Sequence, residues 1–145
     1  MLKQTILVSL LALAPFATFA QDTPGSHFIE NWDLDGNGAV SLDEITERRG
    51  DVFIMFDRDE DGLLSAQEYV LFDETRAADM RSNVGEHGKG AGGMQIGMSL
   101  EFNDTNADGV VSKDEFVSNS AAWLTRMDKD ADGNVTPADF GQRNK

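Results

Sequence analysis

The sequence predicts an all-α protein in which four similar segments form one compact helical domain. First, a twelve-residue pattern of oxygen-bearing side chains recurs four times in the 145 residues. Second, residues 45–56 and 116–127, each between two repeats, carry apolar side chains at helical spacing. Third, the length corresponds to one domain, since a domain averages roughly 100–200 residues. Together these observations favour a repeat protein with helices between its loops.

The composition is strongly acidic. The chain has 12 Lys and Arg residues against 26 Asp and Glu residues, a formal net charge of −14, and no Cys. Such a surface repels phosphate backbones and anionic lipids, so we expect no nucleic-acid partner and no membrane partner after processing. The absence of Cys excludes disulfides, zinc thiolates and thiol nucleophiles.

Residues 1–20 are typical of a signal peptide. Lys3 provides a basic start, residues 6–14 are apolar, and small residues lead to a cleavage position after Ala20. A membrane anchor is the alternative, but the apolar run is shorter than the ~20 residues of a spanning helix and ends at Pro15. We therefore expect an exported protein, either periplasmic or secreted.

The four repeats span residues 33–44, 57–68, 104–115 and 128–139. Each has Asp or Asn at positions one, three and five, Gly at six, Val or Leu at eight, Ser or Thr at nine, and a carboxylate at twelve. A single Asp-Gly run is usually a solvated turn. Four copies with the same spacing instead favour a metal-binding loop.

Calcium chemistry explains the residue types at these positions. The ion takes six to eight oxygen ligands at ~2.3–2.6 Å, which a short chain supplies by curling around it. Positions one, three, five and twelve offer side-chain oxygens, Gly at six permits the sharp turn, position seven offers a backbone carbonyl, and position nine holds a water and caps the next helix. The predicted ligands are Asp33, Asp35, Asn37, Ala39 and Glu44; Asp57, Asp59, Asp61, Leu63 and Glu68; Asp104, Asn106, Asp108, Val110 and Glu115; and Asp128, Asp130, Asp132, Asn134 and Asp139.

These loops closely resemble those of the EF-hand family, and the motif is specific. The resemblance implies helix-loop-helix units with four calcium loops in two closely spaced pairs, as in an exported bacterial protein with four hands. Up to four Ca²⁺ ions follow as the expected ligands. The expected organisation is hands one and two in residues 21–82, a Gly-rich linker in 83–93, and hands three and four in 94–145.

Three departures from the family pattern predict differences among the loops in ion affinity and in the helices that flank them. Asp139 is one methylene shorter than the usual Glu, so the fourth site is predicted to be the weakest for calcium and the most open to Mg²⁺. Asn103 replaces the apolar residue that precedes the other loops, which predicts poor packing of the helix entering loop three. Only residues 140–145 follow the fourth loop, so its exiting helix is predicted to be vestigial, beginning at Thr136 before Pro137.

The short segments between loops bear on how the hands pair. If residues 45–56 and 116–127 each form one helix, that helix holds its two loops at opposite ends, and loops from different halves must pair. Gly50 favours the alternative, in which the first helix breaks and neighbouring loops pair. The second segment has no Gly or Pro, so we favour shared helices.

The same short spacing is partly similar to that of the lanmodulin family of periplasmic lanthanide-binding proteins. That family has Pro at loop position two and an acid at position nine. This chain has Leu34, Arg58, Thr105 or Lys129 at position two and a hydroxyl at nine. Calcium is therefore the predicted ion, with lanthanides as competitors.

We find no pattern of catalytic residues and predict no enzyme activity. His27 and His87 are far apart in the sequence and are expected at the surface. The predicted function is calcium binding, as a buffer or as a module that calcium stabilises. The alternatives are lanthanide binding and a calcium sensor that recruits an unidentified protein partner through an exposed apolar groove.

Overall fold

The computed structural model describes residues 23–82 and 91–141. The predicted signal peptide, His87 and residues 83–90 of the predicted linker lie outside the described residues. The elements are α1 (Ser26–Trp32), α2 (Leu42–Phe56), β1 (Leu63–Leu64), α3 (Ala66–Ser82), α4 (Ala91–Gly97), α5 (Leu100–Asn103), β2 (Val111–Ser112), α6 (Lys113–Ser118), α7 (Ser120–Met127) and α8 (Pro137–Phe140). The last three residues of the predicted linker, 91–93, are thus helical. The predicted all-α fold class is confirmed.

Helix α2 joins the first two loops without a break. Ser41 caps it, since its side chain accepts a hydrogen bond from the Glu44 amide while the Glu44 carboxylate accepts from the Ser41 amide. The helix continues through Gly50 to Phe56. The predicted shared helix is therefore confirmed here, because burial of one face outweighs the helix-weakening effect of a single Gly.

The equivalent segment in the second half is divided in two. Helices α6 and α7 meet at Asn119, whose side-chain amide donates 3.1 Å to the carbonyl of Phe102. The prediction of one continuous helix over residues 116–127 was therefore wrong, because the turn residue Asn119 divides the segment. The Asn119 side chain hydrogen-bonds to the backbone of a different helix, and the regular helix geometry is interrupted at this residue.

Loops from different halves pair with each other. Strands β1 and β2 are antiparallel, with Leu64 opposite Val111, which joins loops two and three. Val40 and Val135 exchange backbone hydrogen bonds of 2.8 and 2.9 Å, which join loops one and four. The length of α2, about 22 Å at ~1.5 Å per residue, keeps loops one and two apart. All four aliphatic residues at loop position eight are fully buried: Val40, Leu64, Val111 and Val135.

One apolar core connects the two halves. Trp123 of α7 is completely buried and lies edge-on to Trp32 at 4.8 Å between ring centroids, and Phe53 of α2 contacts Phe116 of α6. Gly97 allows α4 to approach Trp123, since a Cβ there would lie 1.7 Å from the indole. Within the described parts of the chain, no helix is both long and apolar enough to cross a membrane.

The residue preceding loop three is part of this core. Asn103 is completely buried, and its side-chain amide donates to Tyr69 Oη at 3.1 Å and to the Ser99 carbonyl at 2.8 Å. The prediction that Asn103 leaves its helix poorly packed was therefore wrong. Although α5 has only four residues, hydrogen bonds replace the apolar contacts of the other hands.

Candidate metal centres

The first Asp of every loop closes the turn by accepting a backbone hydrogen bond from the Gly at position six. The distances from that amide to the Asp carboxylate lie between 2.8 and 3.0 Å in the four loops. Each of these glycines has φ between 82° and 92°, a conformation that L side chains rarely adopt. The predicted role of Gly at position six is confirmed.

A second residue of each loop also has positive φ, which we did not predict from the sequence. Position four holds Gly36 in loop one and non-Gly residues in the others, with φ between 57° and 62° in Glu60, Ala107 and Ala131. Gly36 in loop one was the feature of the sequence that could have indicated positive φ at position four. Two left-handed residues give the loop its tight curl.

The side chains at positions three and five fold back over the loop. In loop one, Asp35 accepts from the amide of Asn37 at 3.0 Å, and Asn37 accepts from the amide of Ala39 at 2.8 Å. The equivalent hydrogen bonds occur in the other loops, with distances of 2.8–3.3 Å. Each such bond fixes a side chain while leaving further oxygen lone pairs free for a cation.

The carboxylate at position twelve joins the two ends of its loop. Glu44 accepts from the Leu34 amide at 2.7 Å and from both the amide and hydroxyl of Ser41 at 2.8 and 2.7 Å. Glu68 and Asp139 likewise accept from the backbone amides at positions two and nine of their loops. Glu115 accepts from the Ser112 amide at position nine, but at position two it accepts from the Thr105 hydroxyl. The residue at position nine therefore both caps the following helix and orients a ligand.

These hydrogen bonds lower the pKa of the Glu residues at position twelve. Desolvation raises the pKa of Glu44, but the hydrogen bonds from Ser41, Leu34 and Asp35 together outweigh it and lower the pKa to about 2. The Ser112 amide is the main cause that lowers the pKa of Glu115, also to about 2. A hydrogen bond from Gly38 lowers the pKa of Asp33. Glu44, Glu115 and Asp33 are therefore anionic at neutral pH.

The loops bring carboxylates together in three groups. In each group, one oxygen from each of three acids lies within 4.8 Å of the others. The groups are Asp33, Asp35 and Glu44; Asp57, Asp59 and Asp61; and Asp128, Asp130 and Asp139. Oxygen-only sites of this kind suit hard cations such as calcium, magnesium or a lanthanide.

Two predicted ligands at position twelve differ in whether they belong to these groups of acids. Glu68 is not a member of the second group, although it closes the same loop. Asp139 belongs to the fourth group despite its shorter side chain. In the described chain, loop three forms no group of three acids, and it carries Asn106 at position three.

Crowding is evident in the fourth loop. Desolvation, followed by repulsion from Asp132 and Asp139, raises the pKa of Asp130. A cation bound among these carboxylates would reduce this repulsion.

The segments around the second and third loops match a known protein family. Residues 50–72 and 101–118 match the EF hand family model. Those segments contain loops two and three, which are the loops joined by β1 and β2. The compact helical structure is an EF-hand fold, and its acidic groups are able to hold a metal ion. No curated protein matches the sequence significantly.

Arg49 is a structural residue of these hands that sequence reasoning missed. It is completely buried on α2 and donates to the carbonyls of Phe116 at 2.8 Å and Gly97 at 2.9 Å, and to Asn103. Its guanidinium carbon lies 4.1 Å from the centre of the Phe116 ring. Desolvation lowers its pKa to about 10, so it remains charged at neutral pH. The available signal was its position among apolar residues, four after Ile45 and four before Phe53.

Proposed function

We propose that this protein is an exported calcium-binding EF-hand protein that binds up to four ions and is stabilised by them. The observation that carries the proposal is the group of Asp33, Asp35 and Glu44, in which carboxylate oxygens converge within 4.8 Å inside a closed loop. Loops two and four repeat this convergence with their own acids. Carboxylates this close repel one another until a cation neutralises them.

The four loops each contribute to this binding. Their side-chain oxygens at positions one, three, five and twelve and the carbonyl at position seven would hold the ion, which supplies positive charge to an acidic structure. The third and fourth loops are the proposed weaker sites, because loop three has fewer grouped acids and Asp139 has the shorter reach. Pairing of the loops couples each ion to a second one.

Calcium is proposed to contribute directly to folding stability. An ion that binds only the folded state at 100 times its dissociation constant adds roughly 2.7 kcal/mol per independent site. That is a large fraction of the ~5–15 kcal/mol that stabilises a typical domain. Calcium outside cells is sufficient even for weak sites, with dissociation constants of about 0.1–1 mM in extracellular modules.

Calorimetry and unfolding test this proposal. Metal-stripped protein is titrated with calcium, and its urea unfolding is compared with and without 1 mM calcium, about 1–10 times the dissociation constant of a weak site. We expect measurable stoichiometric binding and a higher unfolding midpoint with calcium. Glu44→Gln should remove one site, whereas Glu47→Gln, on the exposed face of the same helix, should change neither measurement. Absence of binding heat and of stabilisation would refute the proposal.

Ion selectivity is tested with terbium. Trp32 directly precedes loop one, so it can sensitise the emission of terbium bound there. If calcium displaces terbium at comparable concentrations, calcium remains the proposed ligand. Resistance to a large calcium excess would instead favour the lanthanide-binding alternative.

Export is a separate part of the proposal. It rests on the basic, apolar and small-residue regions of residues 1–20. Expression in a bacterial host, followed by fractionation and mass spectrometry, should yield a chain that begins at Gln21 outside the cytoplasm. An uncleaved chain in the cytoplasm would contradict it.

A further inference from the structure

A cleft of about 390 Å³ is lined by residues of α1, α2, α3 and α4, by Met98 and by Trp123 of α7. Its apolar lining includes Phe28, Trp32, Phe56, Phe72, Met94 and Met98. None of the predicted metal ligands lines it. Its volume is within the range of ~300–1,000 Å³ that small-molecule sites occupy.

Two arginines bring positive charge to this apolar cleft. Arg48 of α2 and Arg76 of α3 both line it, and the Nε atom of each is buried without a hydrogen-bond partner. A buried donor that lacks an acceptor costs free energy. The Nε atoms themselves have almost no accessible surface, so an acceptor inside the cleft would be bound by the other N–H groups of these guanidinium groups.

Arg48 is the more informative of the two. In the part of the chain that the structure describes, its side chain makes no hydrogen bond and no ion pair, although the sequence has 26 acidic residues. Arg76 is held in place, because Nη2 donates to Asp73 at 2.5 Å and Nη1 donates to the Gln95 side chain at 3.0 Å.

The acidic groups at the cleft have partners other than Arg48: Asp73 pairs with Arg76, and Asp79 contacts His27. The charge available to a ligand is therefore mainly that of Arg48. His27 and Asp79 also line the cleft, and they bond to each other at 3.1 Å. Asn31 donates to the backbone carbonyl of His27 at 2.7 Å. The cleft thus combines aromatic and Met walls with two guanidinium groups, which is complementary to an apolar molecule with one anionic end.

We propose that this cleft binds an amphipathic carboxylate, meaning an apolar chain or ring that carries one carboxylate group. The apolar part contacts the aromatic and Met side chains, and the carboxylate accepts hydrogen bonds from Arg48 and Arg76. Guanidinium groups form strong charge-assisted hydrogen bonds with carboxylates. The cleft is distinct from the proposed calcium sites, because no residue belongs to both sets.

Decanoate is the probe for this proposal, and decanol is its uncharged control. Binding is measured by calorimetry and by the ¹³C-methyl signals of the Met side chains, both with chelator and with calcium. We expect one decanoate per chain, weaker decanol binding, and shifts at Met80, Met94 and Met98 that exceed the shift at Met127, which does not line the cleft. Binding in chelator separates this result from the outcome of the calcium experiments.

Two variants identify the cleft as the site. Arg48→Gln should weaken decanoate at least about tenfold and leave decanol unchanged, whereas Arg81→Gln, an exposed change of equal charge on α3, should alter neither. Val52→Trp should block both ligands by filling the cleft. Equal affinity of decanoate for the parent and Arg48→Gln proteins, or equal affinity of decanoate and decanol, overturns the proposal. Absence of decanoate binding together with tight binding of an amphipathic peptide also overturns it and favours a protein partner.

Discussion

The side chain of Arg49 donates a 2.5 Å hydrogen bond to the side-chain oxygen of Asn103. This contact connects the helix shared by loops one and two to the residue that directly precedes loop three. Arg49 also donates to the carbonyl of Phe116, which directly follows loop three. One guanidinium group therefore holds both ends of that loop against α2.

Replacing Arg49 should reduce stability strongly. Arg49→Met retains a long apolar side chain but leaves the acceptors on Phe116, Gly97 and Asn103 buried without their donor. We expect a loss of roughly 2–4 kcal/mol in the free energy of unfolding, measured by urea denaturation in calcium. The control is Arg81→Met at an exposed position, which should change stability by less than about 0.5 kcal/mol. A similarly small effect of Arg49→Met would show that the network is dispensable.

The close packing of α4 against α7 should require Gly97. In Gly97→Ala the new methyl group overlaps the indole of Trp123, and we expect a loss of about 1–3 kcal/mol in thermal or urea unfolding. Gly92→Ala is the matched control on the same helix. It meets no atom within 4 Å, so it should leave stability unchanged or raise it by up to about 1 kcal/mol. Equal effects of the two substitutions would contradict the observed packing.

Pairing across the two halves predicts which sites influence each other. Glu44→Gln in loop one should weaken the ion affinity of loop four by about fivefold or more, because Val40 and Val135 connect these loops. The amide NMR signals of Gly133 and Gly109 report on loops four and three during a calcium titration. Glu68→Gln should instead affect Gly109, through the pairing of β1 with β2. If Glu44→Gln perturbs loop two most, the loops pair within each half.

The metal-free protein should lose stability in acid. The folded structure lowers the pKa of Glu44 and Glu115 from 4.5 to about 2, so their hydrogen bonds stabilise the folded state fully only above about pH 4.5. This contribution is lost as the pH falls from 4.5 towards 2, because over this range the unfolded chain takes up protons at both groups while the folded protein keeps them ionised. Urea midpoints of metal-stripped protein over this range should show the decline.

The Glu115→Gln protein provides the control for this pH dependence. Its urea midpoint should fall less steeply with pH than that of the parent, while the exposed substitution Glu101→Gln should retain the parent slope. Identical slopes in all three proteins would show that the hydrogen bonds from Ser112 do not stabilise the Glu115 carboxylate.

The loops could be predicted from the sequence because their geometry is local. Asp33 and Gly38, for example, are five residues apart, and their hydrogen bond is made within a single turn. The same is true of the caps at Ser41 and Thr136 and of the short α8. Residue type and spacing were sufficient wherever a partner lies within about one loop length.

The sequence by itself determined the four oxygen-rich loops and the acidic character that favours cations. Only the tertiary structure decided that Arg49 and Asn103 form a buried pair, that Gly97 lies against Trp123, and that Arg48 and Arg76 share one cleft. These contacts join residues on different helices, often far apart in the chain. Their formation depends on how the helices pack, because a polar residue is stable in a core only where a distant partner completes its hydrogen bonds.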